Sequence, residues 1–286
     1  MRLKEYLEGS KAARPEYGFV DLHGHLIPAV DDGPRSLAEA LELLRGAHRH
    51  STRQAVATPH AFTSKWGLAD PAEVVKAFTR FRRQLQARKS DPRYRFLDSM
   101  AISAGAENKV CPRFQRALQK RRVMTLNGSR YVLTEFHSYR DEGELDGALG
   151  VIWGAGLIPV LAHPERLVSR RRCRELFPRL ARDGCLFQLN APSLSGTFGP
   201  EARRNALHLL RHLPQSCLIA SDGHRPRTRP LKLLDTWRNL SQEYSAQQVR
   251  NWMHLFPSRI LLNQDLKEGR ELDSLPQDFP QAASFP

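Results

Sequence analysis

The chain has 286 residues, 41% of them apolar, and a formal net charge of +14. That apolar fraction can bury a sizeable core and excludes disorder as the default; no apolar run approaches the length of a membrane span, and the N-terminus shows no signal-peptide core. The basic excess, carried mostly by arginine, favours acidic partners: nucleic acid, acidic membranes, acidic protein segments or phosphorylated groups.

Residues 1–16 are charged and small, end at Arg14-Pro15, and read as an extension with a short helix at Leu3–Leu7. Tyr17-Gly18-Phe19-Val20 then leads as a strand into Asp21-Leu22-His23-Gly24-His25. Two histidines at i and i+2 on a strand end point to one side of a sheet and can reach one metal. Alone, this pattern is weak, because a polar strand terminus explains it equally well. Asp32 follows, and Ser36 with Glu39 forms a capping box ahead of Leu37, Ala40, Leu41 and Leu44. Arg53–Thr58 is a short strand ending at Pro59-His60. Asp70-Pro71 opens a helix that runs into the basic segment Arg80–Lys89, which reads as a solvated face.

The pattern then repeats. Ala101–Ala106 is a strand ending at Glu107, followed by a helix over 112–120. Tyr131–Thr134 ends at Glu135 and precedes a helix near 142–155. Leu157–Ala162 ends at His163 and precedes a helix at 170–182. Cys185–Leu189 ends near Asn190 and precedes a helix near 200–212. Ser216–Ser221 ends in Asp222-Gly223-His224, and helices near 230–241 and 245–255 close the domain. The tail after about Asp265 is polar and contains proline. Cys111, Cys173, Cys185 and Cys217 lack CxxC spacing and are expected to be reduced thiols in a cytoplasmic protein.

About seven strands alternating with helices predict a parallel sheet closed as an α/β barrel. Strand after strand ends in a residue able to bind metal: His23 and His25, His60, Glu107, Glu135, His163, Asp222 and His224. In such barrels the C-terminal strand ends build the active site. Chance accounts for any single residue of this set, but not for the whole set at one end of different strands.

At these motifs the sequence resembles the polymerase-and-histidinol-phosphatase (PHP) superfamily. Within it, it resembles the bacterial capsular-polysaccharide tyrosine phosphatases of the CpsB/YwqE type. The resemblance rests on Asp21-Leu22-His23-Gly24-His25, Val30-Asp31-Asp32-Gly33-Pro34, Thr58-Pro59-His60, Gly105-Ala106-Glu107, Thr134-Glu135-Phe136, Ala162-His163-Pro164-Glu165-Arg166 and Ala220-Ser221-Asp222-Gly223-His224. Phe256-Pro257 and Ile260-Leu261 fit the family's closing segment. Ala61 stands where many relatives carry a polar residue, and the first 16 residues have no counterpart.

The resemblance implies a distorted TIM-like (β/α)7 barrel of the PHP type over residues 17–265, between the extension at 1–16 and a polar tail at 266–286. It implies a trinuclear metal site. His23, His25, Glu107 and Asp222 would hold one ion. Glu107, Glu135 and His163 would hold the second, and Asp32, His60 and His224 the third. Mn²⁺ is the implied metal; imidazole and carboxylate donors also suit Zn²⁺, Fe²⁺ or Mg²⁺. Metals about 3.5–4 Å apart share a hydroxide that attacks phosphorus in line. Arg166 and Arg229 match the family's phosphate-binding positions and would answer the phosphoryl charge. The implied activity is phosphotyrosine hydrolysis in the regulation of capsular or exopolysaccharide synthesis. The implied partner is a phosphotyrosine-bearing protein, such as a bacterial tyrosine kinase of polysaccharide export. No membrane insertion is expected, and the oligomeric state stays open.

Phenolate is a good leaving group, its acid having a pKa of about 10, so an aryl phosphate needs little proton donation. Cys173-Arg174-Glu175-Leu176-Phe177-Pro178-Arg179 formally matches the Cys-x5-Arg signature of cysteine phosphatases. It has no glycine to build a phosphate loop and reads as amphipathic helix. Two alternatives stay open. One is another PHP phosphoesterase, a histidinol-phosphate phosphatase or a nuclease. The other is a basic nucleic-acid-binding protein with a degenerate barrel. The absence of aromatic residues interleaved with a basic stretch weighs against nucleic acid.

Overall fold

Among the described residues nine strands form the barrel wall: β1 (Phe19–Gly24), β2 (Thr52–Ala57), β3 (His60–Ala61), β4 (Ala101–Ala104), β5 (Glu107–Lys109), β6 (Tyr131–Glu135), β7 (Ile158–Ala162), β8 (Leu186–Asn190) and β9 (Cys217–Ala220). They come from a computed structural model that describes residues 14–63, 67–68, 70–137 and 141–266. The expected Leu3–Leu7 helix and the tail from residue 267 lie outside the described residues. Every strand pairing is parallel, in the orders β1-β2-β4 and β3-β5-β6-β7-β8-β9.

The nine strands amount to seven staves. β3 continues β2 across Thr58-Pro59, and β5 continues β4 across Gly105-Ala106. The gaps stay stitched: Gly105 N donates to Ala57 O at 2.9 Å and Glu107 N to Pro59 O at 3.1 Å. Pro59 has no N–H to give a ladder. Gly105 is a close approach, since a Cβ there would stand 2.9 Å from Val56 Cγ1. The wall closes between its first and last staves, where Asp222 N donates to His23 O at 2.9 Å and His25 N to Gly223 O at 2.8 Å. The fold is a distorted (β/α)7 barrel.

Helices α1 (Leu37–Arg49), α2 (Pro71–Gln86), α3 (Pro112–Gln119), α4 (Glu142–Gly154), α5 (Arg170–Arg182), α6 (Ala191–Leu194) and α7 (Gly199–His212) alternate with the strands. α8 (Leu234–Leu240), α9 (Ala246–Arg250) and α10 (Phe256–Leu261) follow β9. The starts of α1, α2, α4, α5 and α9 follow the cap rules. Ser36 Oγ accepts from Glu39 N, although the Glu39 carboxylate reaches Arg35 N at 2.8 Å instead of closing the expected box on Ser36. Asp70 Oδ1 accepts from Ala72 N at 2.7 Å. Arg80, Arg82 and Arg83 are exposed on α2, as a solvated face requires.

One apolar layer lies between staves and helices and includes Leu44, Phe81, Phe114, Ile152 and Phe177. A second is built from strand residues Val20, Leu22, Val56, Leu133, Val160 and Leu218, with Ile260 and Leu261 of α10. This is the filled lumen of a small barrel, closed at one end by the last helix. The expected helix at 245–255 is instead α9, a π-helical turn at Asn251–Leu255, and α10. Pro257, in the first turn of α10, has no N–H to donate back into the preceding turn, and the wider turn absorbs that loss.

Candidate metal centre

All nine candidate ligands lie at one mouth of the barrel, at or just beyond the strand ends. His23 and His25 end the first stave, His60 opens β3, and Glu107 opens β5. Glu135 ends β6, His163 follows β7, and Asp222 and His224 follow β9. Asp32 arrives from the loop ahead of α1. His163 (φ 35°) and Asp222 (φ 51°) hold left-handed backbone conformations that few side-chain-bearing residues adopt. Such strain persists where the surroundings over-determine it, commonly at functional sites.

The innermost group is nearly regular. His23 Nε2 lies 3.5 Å from Glu107 Oε2 and 3.5 Å from Asp222 Oδ1. His25 Nε2 lies 3.5 Å and 3.6 Å from the same two oxygens. A tetrahedral ion with donors at about 2.1 Å sets neighbouring donors roughly 3.4 Å apart. Beside it, His163 Nε2 is 2.8 Å from Glu107 Oε1, and His60, Glu107 and Glu135 bring donor atoms together. On the other side, His25, Asp32, His60 and His224 form a second group; Asp32 Oδ1 lies 3.2 Å from His224 Nε2 and 3.6 Å from His60 Nε2. His60 thus stands between two groups, with its Nδ1 2.9 Å from Glu107 Oε2 but off the hydrogen-bonding direction.

The donor atoms fit a cation. His23 Nε2, His25 Nε2, Glu107 Oε2 and Asp32 Oδ1 are buried without a hydrogen-bond partner. Orphaned polar atoms cost free energy in a protein interior, and four converging on shared points indicate that something else satisfies them. Three of the imidazoles are also fixed from behind. His23 Nδ1 meets Gln188 Oε1 at 2.7 Å, His25 Nδ1 meets Asp31 Oδ2 at 2.7 Å, and His224 Nδ1 meets the Asp222 carbonyl at 2.9 Å. Each contact draws the ring proton to Nδ1 and turns the Nε2 lone pair inward, the usual support for a ligating histidine.

The electrostatics agree. Burial pushes the Glu107 carboxyl up, but His23, His60 and the hydrogen bond from His163 outweigh it and hold it well below the usual range. Asp222 is likewise held well below the usual range, burial being outweighed by His23, His25, His163 and Arg229. Asp32 is lowered to about 2, its partial burial overcome by His224, His25 and His60. Glu135 moves the other way, raised by burial and by the Glu107 charge. Without a bound cation, the raised imidazoles of His23, His25 and His60 supply the positive charge that holds Asp32, Glu107 and Asp222 down, a charge that a metal would replace as the rings turn neutral to ligate it.

Both candidate arginines converge on the outer oxygen of Asp222. Arg229 Nη2 lies 2.6 Å from Oδ2 and Arg166 Nη1 3.5 Å from it. Arg225 turns to the Asp32 carbonyl instead, at 3.3 Å. Both arginine heads are about one-third exposed, so they face the open side of the cluster.

Several contributors carried no role in the sequence reading. Gln188 Nε2 donates to Asn190 Oδ1 at 2.8 Å, and Asn190 Nδ2 donates to Asp222 Oδ2 at 2.7 Å, a relay joining His23 to Asp222. Glu165 is buried and accepts from Asn190 N at 3.1 Å and Ser193 Oγ at 2.6 Å. A Gln-x-Asn pair inside the otherwise apolar β8 was the available signal. Cys173 lies buried within α5, its thiol pushed up to about 12 chiefly by burial. A thiol so inert is no nucleophile at neutral pH.

Fold and cluster together define an α/β barrel with a candidate polynuclear metal centre at its C-terminal mouth. The chain belongs to the CpsB/CapC family of capsular polysaccharide synthesis, whose family model matches residues 19–262. It is 31% identical to CapC of Staphylococcus aureus over 227 residues, 79% of this chain and 85% of that one. It is 29% identical to the tyrosine-protein phosphatase YwqE of Bacillus subtilis over 231 residues, 80% of this chain and 86% of that one. A crystal structure from work on YwqE of Bacillus subtilis and CpsB of Streptococcus pneumoniae, described as metal-dependent tyrosine phosphatases, superposes with a TM-score of 0.74. It shares 28% identity and covers 86% of this chain and 95% of its own.

Proposed function

We propose that this chain is a metal-dependent phosphotyrosine phosphatase acting on a phosphoprotein of capsular or exopolysaccharide synthesis. One observation carries the reading: orphaned imidazole and carboxylate donors lie beside two arginines that share Asp222. Such a site pairs cations with an anion-binding rim, as phosphoryl transfer demands. The named activity of the CpsB/CapC relatives supports it.

In this reading His23, His25, Glu107 and Asp222 would hold one ion. Glu107, Glu135 and His163 would hold a second, and Asp32, His60 and His224 a third. The ion we propose is Mn²⁺, with Zn²⁺, Fe²⁺ and Mg²⁺ compatible with the same donors. Bound metal supplies a water acidic enough to act as a nucleophile at neutral pH and positive charge against phosphoryl oxygens. The protein's own part is to bind and orient. Arg166 and Arg229 leave Asp222 Oδ2 for the phosphoryl oxygens, offering fork-shaped donors in a partly desolvated setting. Gln188, Asp31 and the Asp222 carbonyl keep the imidazole tautomers fixed while this happens.

The physiological substrate in this reading is a tyrosine kinase of polysaccharide export or another phosphotyrosine-bearing protein. Cys111, Cys173, Cys185 and Cys217 are free thiols, which suits the cytoplasm. Among the described residues no helix is long and apolar enough to cross a membrane. The test is hydrolysis of phosphotyrosine peptide, histidinol phosphate and single-stranded DNA side by side, with Mn²⁺ or with chelator. Mn²⁺-dependent turnover of the peptide well above the others is expected. Faster turnover of histidinol phosphate or DNA would move the chain to another phosphoesterase class.

A further inference from the structure

Phe198 sits where the two arginines meet. Its ring centroid is 4.1 Å from Arg166 Cζ and 5.8 Å from Arg229 Cζ. The residue belongs to the connection between α6 and α7, which is pinned along its length. Thr197 N donates to Pro192 O at 2.9 Å, Gly199 N to Gly196 O at 3.0 Å, and Arg203 Nε to Leu194 O at 3.2 Å. Gly196 (φ 86°) and Gly199 (φ 91°) flank Phe198 in conformations that suit glycine. The backbone is therefore shaped to present this side chain at a fixed place. Yet Phe198 is only partly buried and belongs to neither apolar layer. A large ring held at a charged rim, outside any core, has a local task.

We infer that Phe198 positions Arg166 and Arg229 for the phosphoryl group and forms the apolar wall against which the ring of an aryl phosphate packs. This rests on the phosphatase reading above. Two guanidiniums crowding one carboxylate repel each other, and an aromatic face is a surface over which both can lie. When a phosphoryl group competes with Asp222 for the arginines, the ring keeps them from swinging into solvent. A phenyl group joined to phosphorus through one oxygen then lies close to the arginine-held oxygens, within reach of the Phe198 ring. An alkyl phosphate such as phosphoserine has no matching surface. Phe198 is thus a positioning residue for the arginines and a selector for aryl over alkyl esters.

The test uses the full, Mn²⁺-loaded chain and the variants Phe198→Leu and Phe198→Tyr. Inorganic phosphate affinity is measured by calorimetry, and kcat and KM on phosphotyrosine and phosphoserine peptides of one sequence. Phe198→Leu is expected to weaken phosphate about tenfold and to shrink the phosphotyrosine-to-phosphoserine ratio of kcat/KM by about tenfold, with bound metal unchanged. Its loss on phosphotyrosine should fall on KM as well as on kcat, and Phe198→Tyr, which keeps the ring, should recover most of both effects. Unchanged phosphate affinity and ratio in Phe198→Leu, or equal damage in Phe198→Tyr, would overturn the inference. A wild-type protein that hydrolyses neither peptide would overturn the phosphatase reading instead. The phosphate affinity of Phe198→Leu would then still decide the positioning role, a tenfold loss supporting it and no loss overturning it.

Discussion

Asp31 Oδ2 lies 2.7 Å from His25 Nδ1, with the Asp31 side chain wholly buried, whereas that of its neighbour Asp32 is 40% exposed. The same Asp31 carboxylate accepts from His60 N at 3.1 Å and from Gly33 N at 2.9 Å. It therefore sets the tautomer and tilt of one candidate ligand and the backbone position of another. Asp31→Ala should lower Mn²⁺ affinity by roughly 10–100-fold without removing a donor atom. Metal titration of the chelated protein, followed by equilibrium dialysis, reads this directly, and wild-type affinity in the variant would rule out the supporting role.

The arginines should act on turnover. Arg229→Ala and Arg166→Ala are each expected to cost about 2–4 kcal/mol of transition-state stabilisation on a phosphotyrosine peptide, the range for a lost oxyanion contact. Lysine keeps the charge but loses the fork, so Arg166→Lys should recover only part of that loss. Steady-state kinetics with kcat and KM resolved would show it; a change confined to KM would make the arginines simple binding groups.

Cys173 should be dispensable. Its thiol is buried on α5 and held far from ionisation at neutral pH. Cys173→Ala is expected to keep near-normal phosphatase activity, while chelation abolishes it in variant and wild type alike. Loss of activity in a variant that unfolds at the wild-type urea midpoint would restore cysteine chemistry.

Asp21 gives a pH-dependent stability term. Its Oδ1 accepts from Ser221 N at 3.0 Å, helping to close the first stave onto the last, while Oδ2 is buried without a partner. Burial, only partly offset by hydrogen bonds from Ser221, raises its pKa from 3.8 to about 6. Between these values the folded state holds a proton that the unfolded state has lost, so stability falls as pH rises from about 4 to about 6. The shift corresponds to about 3 kcal/mol. Asp21→Asn keeps an acceptor and cannot ionise. Urea unfolding of the chelated proteins should therefore show wild type losing about 3 kcal/mol relative to this variant across that pH window. A pH-independent difference would contradict the buried-charge account.

Much of the candidate site was legible because parallel strands place their C-terminal ends together. Residues spread from His23 to His224 could be gathered on one mouth from strand ends alone, and the structure brings all nine together with Arg166 and Arg229. What stayed hidden depends on contacts across the barrel. Gln188 reaches His23 over a separation of 165 residues, and no local pattern announces that partnership. Asp31 and Asp32 are adjacent and chemically alike; only the fold buries one behind His25 and turns the other toward His60 and His224. The breaks that divide two staves were equally invisible, because Gly105 matters through the nearness of Val56 and Leu126. Phe198 belonged to no strand end and so fell outside the pattern that found its neighbours.

Glu107 tests the central claim most directly, since its two oxygens face different donor groups, Oε1 toward His163 and Oε2 toward His23, His25 and His60. The measurement is the Mn²⁺ bound per chain in wild type and in Glu107→Gln, taken on the same samples as their phosphotyrosine hydrolysis. The expected result is more than one ion per chain in wild type, a clear loss of bound metal in the variant, and no detectable turnover by it. Unchanged metal content in Glu107→Gln, or full activity without metal, would contradict the account.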